Sequence, residues 1–411
     1  MATITRRFAA AIAAALTLLL VGTLSPASAT AAESDKRLKR AWKAPVTTGT
    51  FGIHSFTTQP QIEGASIRNT CAPYWRDLNP APGVYDWSTM DNIVARHEAW
   101  GYTDIMFAFC GTPGWASGLG WIPAVEYKSR GWGDPPANMS DYRAMVTEVV
   151  KRYKGRITSY QVWNEVTAIA SWQGNGKQLA EMSKILNNVV NKIDPQAQVI
   201  SPSFQVHCYP DCTDRIMKPF LKEAKKRNWP FDVLAVHGYV EGLNGRYTKL
   251  KEVISSLKSY KLPKRIEIWD TETNHVGGGL NNKETKAFLS RSFLDSFRLG
   301  VPRTYWYMWT YGSGDFGDVP MNPNSPTTIK SFDTMLDWTL GTKVKSCDEN
   351  GKLLVCSFKG SGKNFKMVWT SKGKATYKTA SGQQACPATG GSCKTVKKGK
   401  FKATILPYRI G

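Results

Sequence analysis

Acidic side chains are in short supply in this chain. Only 32 Asp and Glu stand against 54 Lys and Arg, a net charge of +22. The deficit is steepest at the C-terminal end, where 14 Lys and Arg409 between residues 343 and 411 face only Asp348 and Glu349. Such an excess steers anions toward the surface, and it also serves simply to keep a protein in solution. Metal-ligand spacings are missing as well. There is no Cys-x-x-Cys pair and the five His are scattered, which excludes the common zinc frameworks. No helix-turn-helix, zinc-finger or single-strand recognition motif is present, so the positive charge does not point to nucleic acid. The expected polyanion is instead an acidic polysaccharide or an anionic cell wall. No Gly-rich phosphate turn follows an early strand, which argues against a doubly wound nucleotide fold. Gly277-Gly278-Gly279 comes too late for that role and reads as a flexible loop. No repeat of fixed period stands out.

Long hydrophobic runs are also rare. The apolar stretch Phe8–Val21 is too short to cross a bilayer. It follows Arg6 and Arg7 and precedes Ala27-Ser28-Ala29, the arrangement of a secretory signal peptide over residues 1–31. The expectation is a secreted protein with no membrane span. Eight cysteines in an exported chain read as disulfides. Cys208 and Cys212 can staple one loop, and Cys347 with Cys356 and Cys386 with Cys393 can each close a hairpin. Cys71 and Cys110 are left to clip two neighbouring strand ends.

Residues 32–46 are charged and aperiodic, the pattern of a loose lead-in. Beyond them, apolar runs alternate with amphipathic ones. The runs 50–56, 65–71, 103–110, 157–165, 198–204, 231–240, 265–274 and 303–310 read as strands. Residues 90–100, 140–153, 176–193, 214–227, 247–260 and 282–299 read as helices. In the third of these, Leu179, Met182, Ile185, Leu186 and Val189 mark one buried face. Eight strands with helices between them predict an α/β fold, a (β/α)8 TIM barrel over residues 32–340. After Trp338 helical periodicity stops and short alternating runs take over. Residues 341–411 therefore predict a small, basic, β-sandwich-like domain stapled by disulfides and packed on the barrel through a short linker.

In a parallel barrel every strand C-terminus opens on one face. The fourth run ends in Trp163-Asn164-Glu165, and the seventh carries Trp269-Asp270-Thr271-Glu272 toward its end. Two carboxylates at two strand mouths are what cleavage of a glycosidic bond requires, one to protonate the leaving oxygen and one to act at the anomeric carbon. Asn164 can bond the sugar hydroxyl beside the reacting carbon. Arg68, near the end of the second strand, is the cation placed to keep Glu272 ionised. His54, after the first strand, is a further candidate. Asp270 is the rival acid, expected deeper in the barrel on the face that carries Glu272, with Glu267 on the opposite face. Flat sugar faces stack on indoles. Trp309 and Trp115 are the expected platforms, with Trp121, Trp132 and Trp172 on nearby loops.

The pairing of Asn-Glu after strand four with Glu after strand seven resembles the retaining glycoside hydrolases of clan A. Tyr74-Trp75-Arg76-Asp77-Leu78-Asn79-Pro80-Ala81-Pro82-Gly83-Val84-Tyr85-Asp86-Trp87, Gly111-Thr112-Pro113-Gly114-Trp115 and Trp163-Asn164-Glu165 bring it closest to family 39, which includes β-xylosidases and α-L-iduronidases. Val166 stands where members of that family usually carry Pro. The resemblance implies a carbohydrate substrate, Glu165 as general acid/base, Glu272 as nucleophile, and His237 and Tyr239 beside the nucleophile. The chemistry calls for no metal and no cofactor. A carbohydrate- or wall-binding protein without activity is the competing class.

Overall fold

The computed structural model describes residues 37–62, 64–118, 133–310 and 317–411. The expected signal peptide, Trp121 and Trp132 lie outside these residues. Eight parallel strands close into a barrel: β1 Phe51–His54, β2 Ser66–Thr70, β3 Ile105–Ala108, β4 Ser159–Gln161, β5 Gln198–Gln205, β6 Val233–His237, β7 Glu267–Thr273 and β8 Thr304–Trp306. Each pairs with its sequence neighbours, and β1 closes on β8. The helices named below are α1 Ser88–Ala99, α2 Met139–Arg152, α3 Gly176–Ile193, α4 Asp211–Lys226, α5 Gly245–Ser256, α6 Asn282–Leu299 and α7 Pro326–Thr339. Strand ends are shorter than the apolar runs. The same side chains continue past the paired backbone and stay buried there, as at Val162 and Trp163.

Met106, Ile200, Val233, Ala235, Trp269 and Tyr305 pack together as one buried cluster from five barrel strands. A Cβ at Gly52 would lie 2.2 Å from the Tyr305 ring, so β1 passes this ring only as glycine. Around the barrel, α3 buries Leu179, Met182, Ile185, Leu186 and Val189 as its spacing requires. Asn175 and Gln178 form a capping box at its start. The helix expected over 247–260 ends earlier, as α5, and tightens into a 3-10 turn over Leu257–Tyr260. Helix α7 was not among the expected ones.

Residues 37–46 depart from the expected loose lead-in. Residues 37–43 are helical. Arg40 donates to the Lys264 carbonyl at 2.9 Å, Trp42 Nε1 to Phe297 O at 2.7 Å, and the Val46 amide to Thr342 O at 2.7 Å. The partners are distant in sequence, so no local periodicity announces them.

The C-terminal part is antiparallel. Its six-stranded sheet contains β9 Lys343–Asn350, β10 Leu353–Gly360, β11 Lys363–Thr370, β13 Gln384–Pro387, β14 Lys394–Thr395 and β16 Tyr408–Ile410. One face joins the main core through Phe358 and Met367. Over Val368, Ala385 and Ile410 on the sheet lies a ribbon of β12 Ala375–Lys378 and β15 Lys400–Ala403, which adds Tyr377 and Ala403 to a second small core. The cysteines pair as 71–110, 208–212, 347–356 and 386–393.

Candidate active site

The carboxyl ends of the strands open into a cleft of about 1400 Å³. Glu165 and Glu272 both line it, with Asn164, Tyr239, Gln205 and His207. Oxygens of the two carboxylates and a ring nitrogen of His237 lie within 4.8 Å of one another.

Glu272 reaches the cleft through a break in the β7 ladder. Val236 pairs with Asp270, but His237 pairs with Glu272, so Thr271 is an extra residue. The bulge puts Asp270 and Glu272 on different faces, against the expected alternation. Asp270 is fully buried on Arg246 of α5 at 2.6 Å, outside the cleft, and burial raises its pKa against the opposing pull of Arg246. Glu267, at the start of β7, accepts from Trp269 Nε1 at 2.8 Å. Glu272 accepts from Arg68 Nη1 at 2.7 Å and from the Tyr239 hydroxyl at 2.8 Å. It is 6 % exposed. A guanidinium and a hydroxyl both point at this carboxylate, so it is paired with a cation and aimed. The Tyr239 hydroxyl is pushed well above its usual range by burial first and then by Glu272, so it remains a donor.

Glu165 has a different environment. Its backbone takes φ 50, a left-handed conformation uncommon outside glycine, and its amide donates to Ser203 Oγ at 2.8 Å. The carboxylate contacts His237 Nδ1 at 2.9 Å. Its pKa is raised, mainly by desolvation, against the opposing pull of Arg68, His207 and a Gln205 hydrogen bond. The two acids thus have different surroundings: Glu165 is pressed to hold its proton, and Glu272 is paired with a cation. His237 is completely buried, and burial depresses its pKa to about 3. It therefore contributes a neutral ring.

Arg68 organises the floor. Besides Glu272 it donates to Gln161 Oε1 at 2.7 Å and Asn164 Oδ1 at 2.8 Å. That fixes the Asn164 amide with its oxygen toward Arg68 and its NH2 free for a ligand. His54 is buried, and its pKa is lowered well below the usual value by burial and then by Arg68. Its Nε2 lies 3.0 Å from Thr271 O, which makes that nitrogen the donor, and Thr70 Oγ1 lies 3.4 Å from Nδ1. His54 thereby holds the bulge residue beside Glu272. The donor set of Glu165, His237 and Glu272 could suit a cation, but Arg68 already places a positive charge on Glu272.

The structure brings Arg68, Asn164, Glu165, His237, Tyr239 and Glu272 together, with His54 beneath them. The indoles are placed otherwise. Trp309 is 1 % exposed and belongs to the core, its amide bonded to His54 O at 2.9 Å. Trp115 is half-buried, packs edge-on against Trp75 and donates to Asn79 O at 2.9 Å. Trp172 is buried against Trp163. None of the three lines the cleft, because a ring of this size is stabilised more by burial among apolar neighbours. Among the described residues the cleft's aromatic lining is Phe56, Tyr74, Tyr239 and Tyr307. Gln161, Gln205, His207 and Tyr307 escaped the sequence reading. Gln161 and Gln205 carried a usable signal, as polar residues within or ending apolar strands.

Neither a protein-family model nor a curated protein matches the chain. Solved structures do. The chain is similar to a family 39 glycoside hydrolase from the gut symbiont Bacteroides cellulosilyticus WH2, with TM-score 0.66 and 17% identity over 90% of this chain and 81% of that one. It is similar to a glucosidase from Croceicoccus marinus, with TM-score 0.60 and 13% identity over 89% and 98% of the two chains. A GH30 endoxylanase from Clostridium papyrosolvens C71 follows, with TM-score 0.55 and 15% identity over 89% and 96%. At these identities the likeness is one of fold, the barrel on which these glycoside hydrolases are built.

Proposed function

We propose that this chain is a secreted retaining O-glycoside hydrolase that cleaves a cell-wall polysaccharide or oligosaccharide by double displacement. The observation that carries the reading is the approach of the Glu165 and Glu272 carboxylates to within 4.8 Å across one open cleft. So close an approach of single oxygens supports direct displacement, in which the carboxyl groups stand roughly 5–5.5 Å apart, over the roughly 6.5–9.5 Å spacing that leaves room for a water. In the first step a Glu272 oxygen attacks the anomeric carbon while protonated Glu165 gives its proton to the departing glycosidic oxygen. In the second, Glu165 takes a proton from water, the water oxygen bonds to the anomeric carbon, and Glu272 leaves as carboxylate. Arg68 and Tyr239 aim and stabilise Glu272 in both, and the Asn164 amide is free to bond the hydroxyl next to the reacting carbon. The likeness of fold to glycoside hydrolases supports the reaction class. Four disulfide pairs support an oxidising, extracellular setting. A cleft this large favours a chain over a single sugar.

The test is a screen of aryl glycosides and wall polysaccharides against wild type, Glu272→Ala and Glu165→Ala. On the responding substrate Glu272→Ala should lose at least about a thousandfold in kcat. Azide should restore Glu165→Ala on an activated aryl glycoside and give a glycosyl azide of retained configuration. Full activity in Glu272→Ala would remove Glu272 as the nucleophile, and sugar binding by wild type without turnover on any glycan would return the chain to the binding-protein class.

A further inference from the structure

The cleft chemistry makes no use of the charge on the C-terminal domain. After Glu349 no acidic residue occurs up to Gly411. The two acids before that point are engaged, Asp348 by Ser346 and Glu349 by Arg298. The outermost layer of the domain is the β12–β15 ribbon. Its inner positions, Tyr377 and Ala403, are buried, and its outer positions, Thr376, Lys378, Lys400 and Lys402, are exposed. The register sets Lys378 directly opposite Lys400, and Thr376 opposite Lys402. Exposed Lys372 and Lys374 precede the ribbon, and exposed Lys397 and Lys398 lead into its second strand. Like charges facing each other across a β-pair destabilise it, and a surface built only for solubility intersperses both signs. This face carries one sign.

Its position matters equally. Asn244, which lines the cleft, donates to the Ser371 carbonyl at 3.2 Å, and Arg291 donates to the Asn244 side-chain oxygen. The turn that leads into the ribbon is therefore fastened to the cleft's rim. The ribbon's own rings, Tyr377 and Phe401, pack inward on the small core. Its outer face thus offers cations and no stacking surface, which suits a charged glycan and not a neutral one. Lysine, a compact charge on a flexible stem, suits a chain of repeating anions without fixing their orientation.

We propose that the outer face of the β12–β15 ribbon binds a carboxylate-bearing polysaccharide, a polyuronate strand, and holds it beside the cleft. The proposal rests on the glycan reading of that cleft, but its test does not need turnover. Binding of the full chain to immobilised polygalacturonate is compared with that of the triple variant Lys378→Gln, Lys400→Gln, Lys402→Gln. The parallel arms use neutral xylan, poly(glycerol phosphate) and vesicles containing anionic lipid. The Glu165→Ala protein serves equally, so an inactive cleft leaves the measurement intact. Wild type should bind polygalacturonate preferentially and weaken steeply between about 0.05 M and about 0.3 M salt. The triple variant should bind roughly tenfold more weakly, with its melting temperature and any aryl-glycoside turnover unchanged. Unchanged affinity in the triple variant overturns the proposal. So does equal binding of neutral xylan, or tighter binding of the phosphate polymer or the vesicles.

Discussion

Two glutamates of the same intrinsic acidity become different reagents here through the groups that touch them. Glu272 meets a guanidinium and a phenol. Glu165 meets a neutral imidazole and a largely desolvated wall, which presses it toward the protonated form. Gln205 works against that pressure. Its amide oxygen is taken by Thr167 Oγ1 at 2.5 Å, which leaves the NH2 for Glu165. That bond favours the ionised form, so removing it raises the Glu165 pKa further. Gln205→Leu should therefore move the alkaline limb of the kcat/KM–pH profile to higher pH, with the maximum rate within about tenfold of wild type. A limb that stays put or moves to lower pH would remove Gln205 from the proton chemistry. His237, depressed to about 3 by burial, should add no limb of its own at any higher pH.

Among the elements, β6 and β7 decide the site, and they do so through irregularity. The extra residue Thr271 turns Glu272 into the cleft while Asp270 stays on Arg246. Beside it, His237 and Tyr239 flank Gly238, whose amide donates to Asp270 Oδ1 at 2.9 Å. A Cβ at Gly238 would sit 2.3 Å from Asp270 Oδ2. Gly238→Ala must therefore push the Asp270 carboxylate off a buried ion pair or bend the strand between two site residues. The expected cost is about 1–3 kcal/mol in urea unfolding, with a loss of activity exceeding the fraction unfolded. Stability equal to wild type would mean that the bulge tolerates a methyl group.

On the scale of the whole molecule, barrel and β-domain are tied by specific contacts rather than by a linker alone. Phe297 of α6 packs edge-on against Phe358 of β10, and Arg298 pairs with Glu349 at 2.7 Å. The segment before β1 closes the joint, since Val46 exchanges backbone bonds with Gly341 and Thr342. The core is continuous from Val46 through Phe297 to Phe358 and Met367. The chain should consequently melt in one calorimetric transition with van't Hoff and calorimetric enthalpies in agreement. Two resolved transitions would show that the parts fold independently and that the shared core contributes little.

Read alone, the sequence determined the barrel, the order of its strands, and which acids stand at their ends. Those properties follow from short-range periodicity: apolar runs fit strands, three- and four-residue steps fit helices, and a parallel barrel sends every strand to the same face. The change to antiparallel structure after Trp338 was legible for the same reason. Only the tertiary structure decided the rest. A one-residue bulge reverses parity without altering composition, so the separation of Asp270 from Glu272 could not be read from alternation. The docking of residues 37–46 depends on carbonyls more than two hundred residues away. Trp309 and Trp115 went to packing instead of the cleft, because an indole's destination is set by the neighbours that close over it. Side-chain direction and long-range partners belong to the assembled chain, and the site is made of both.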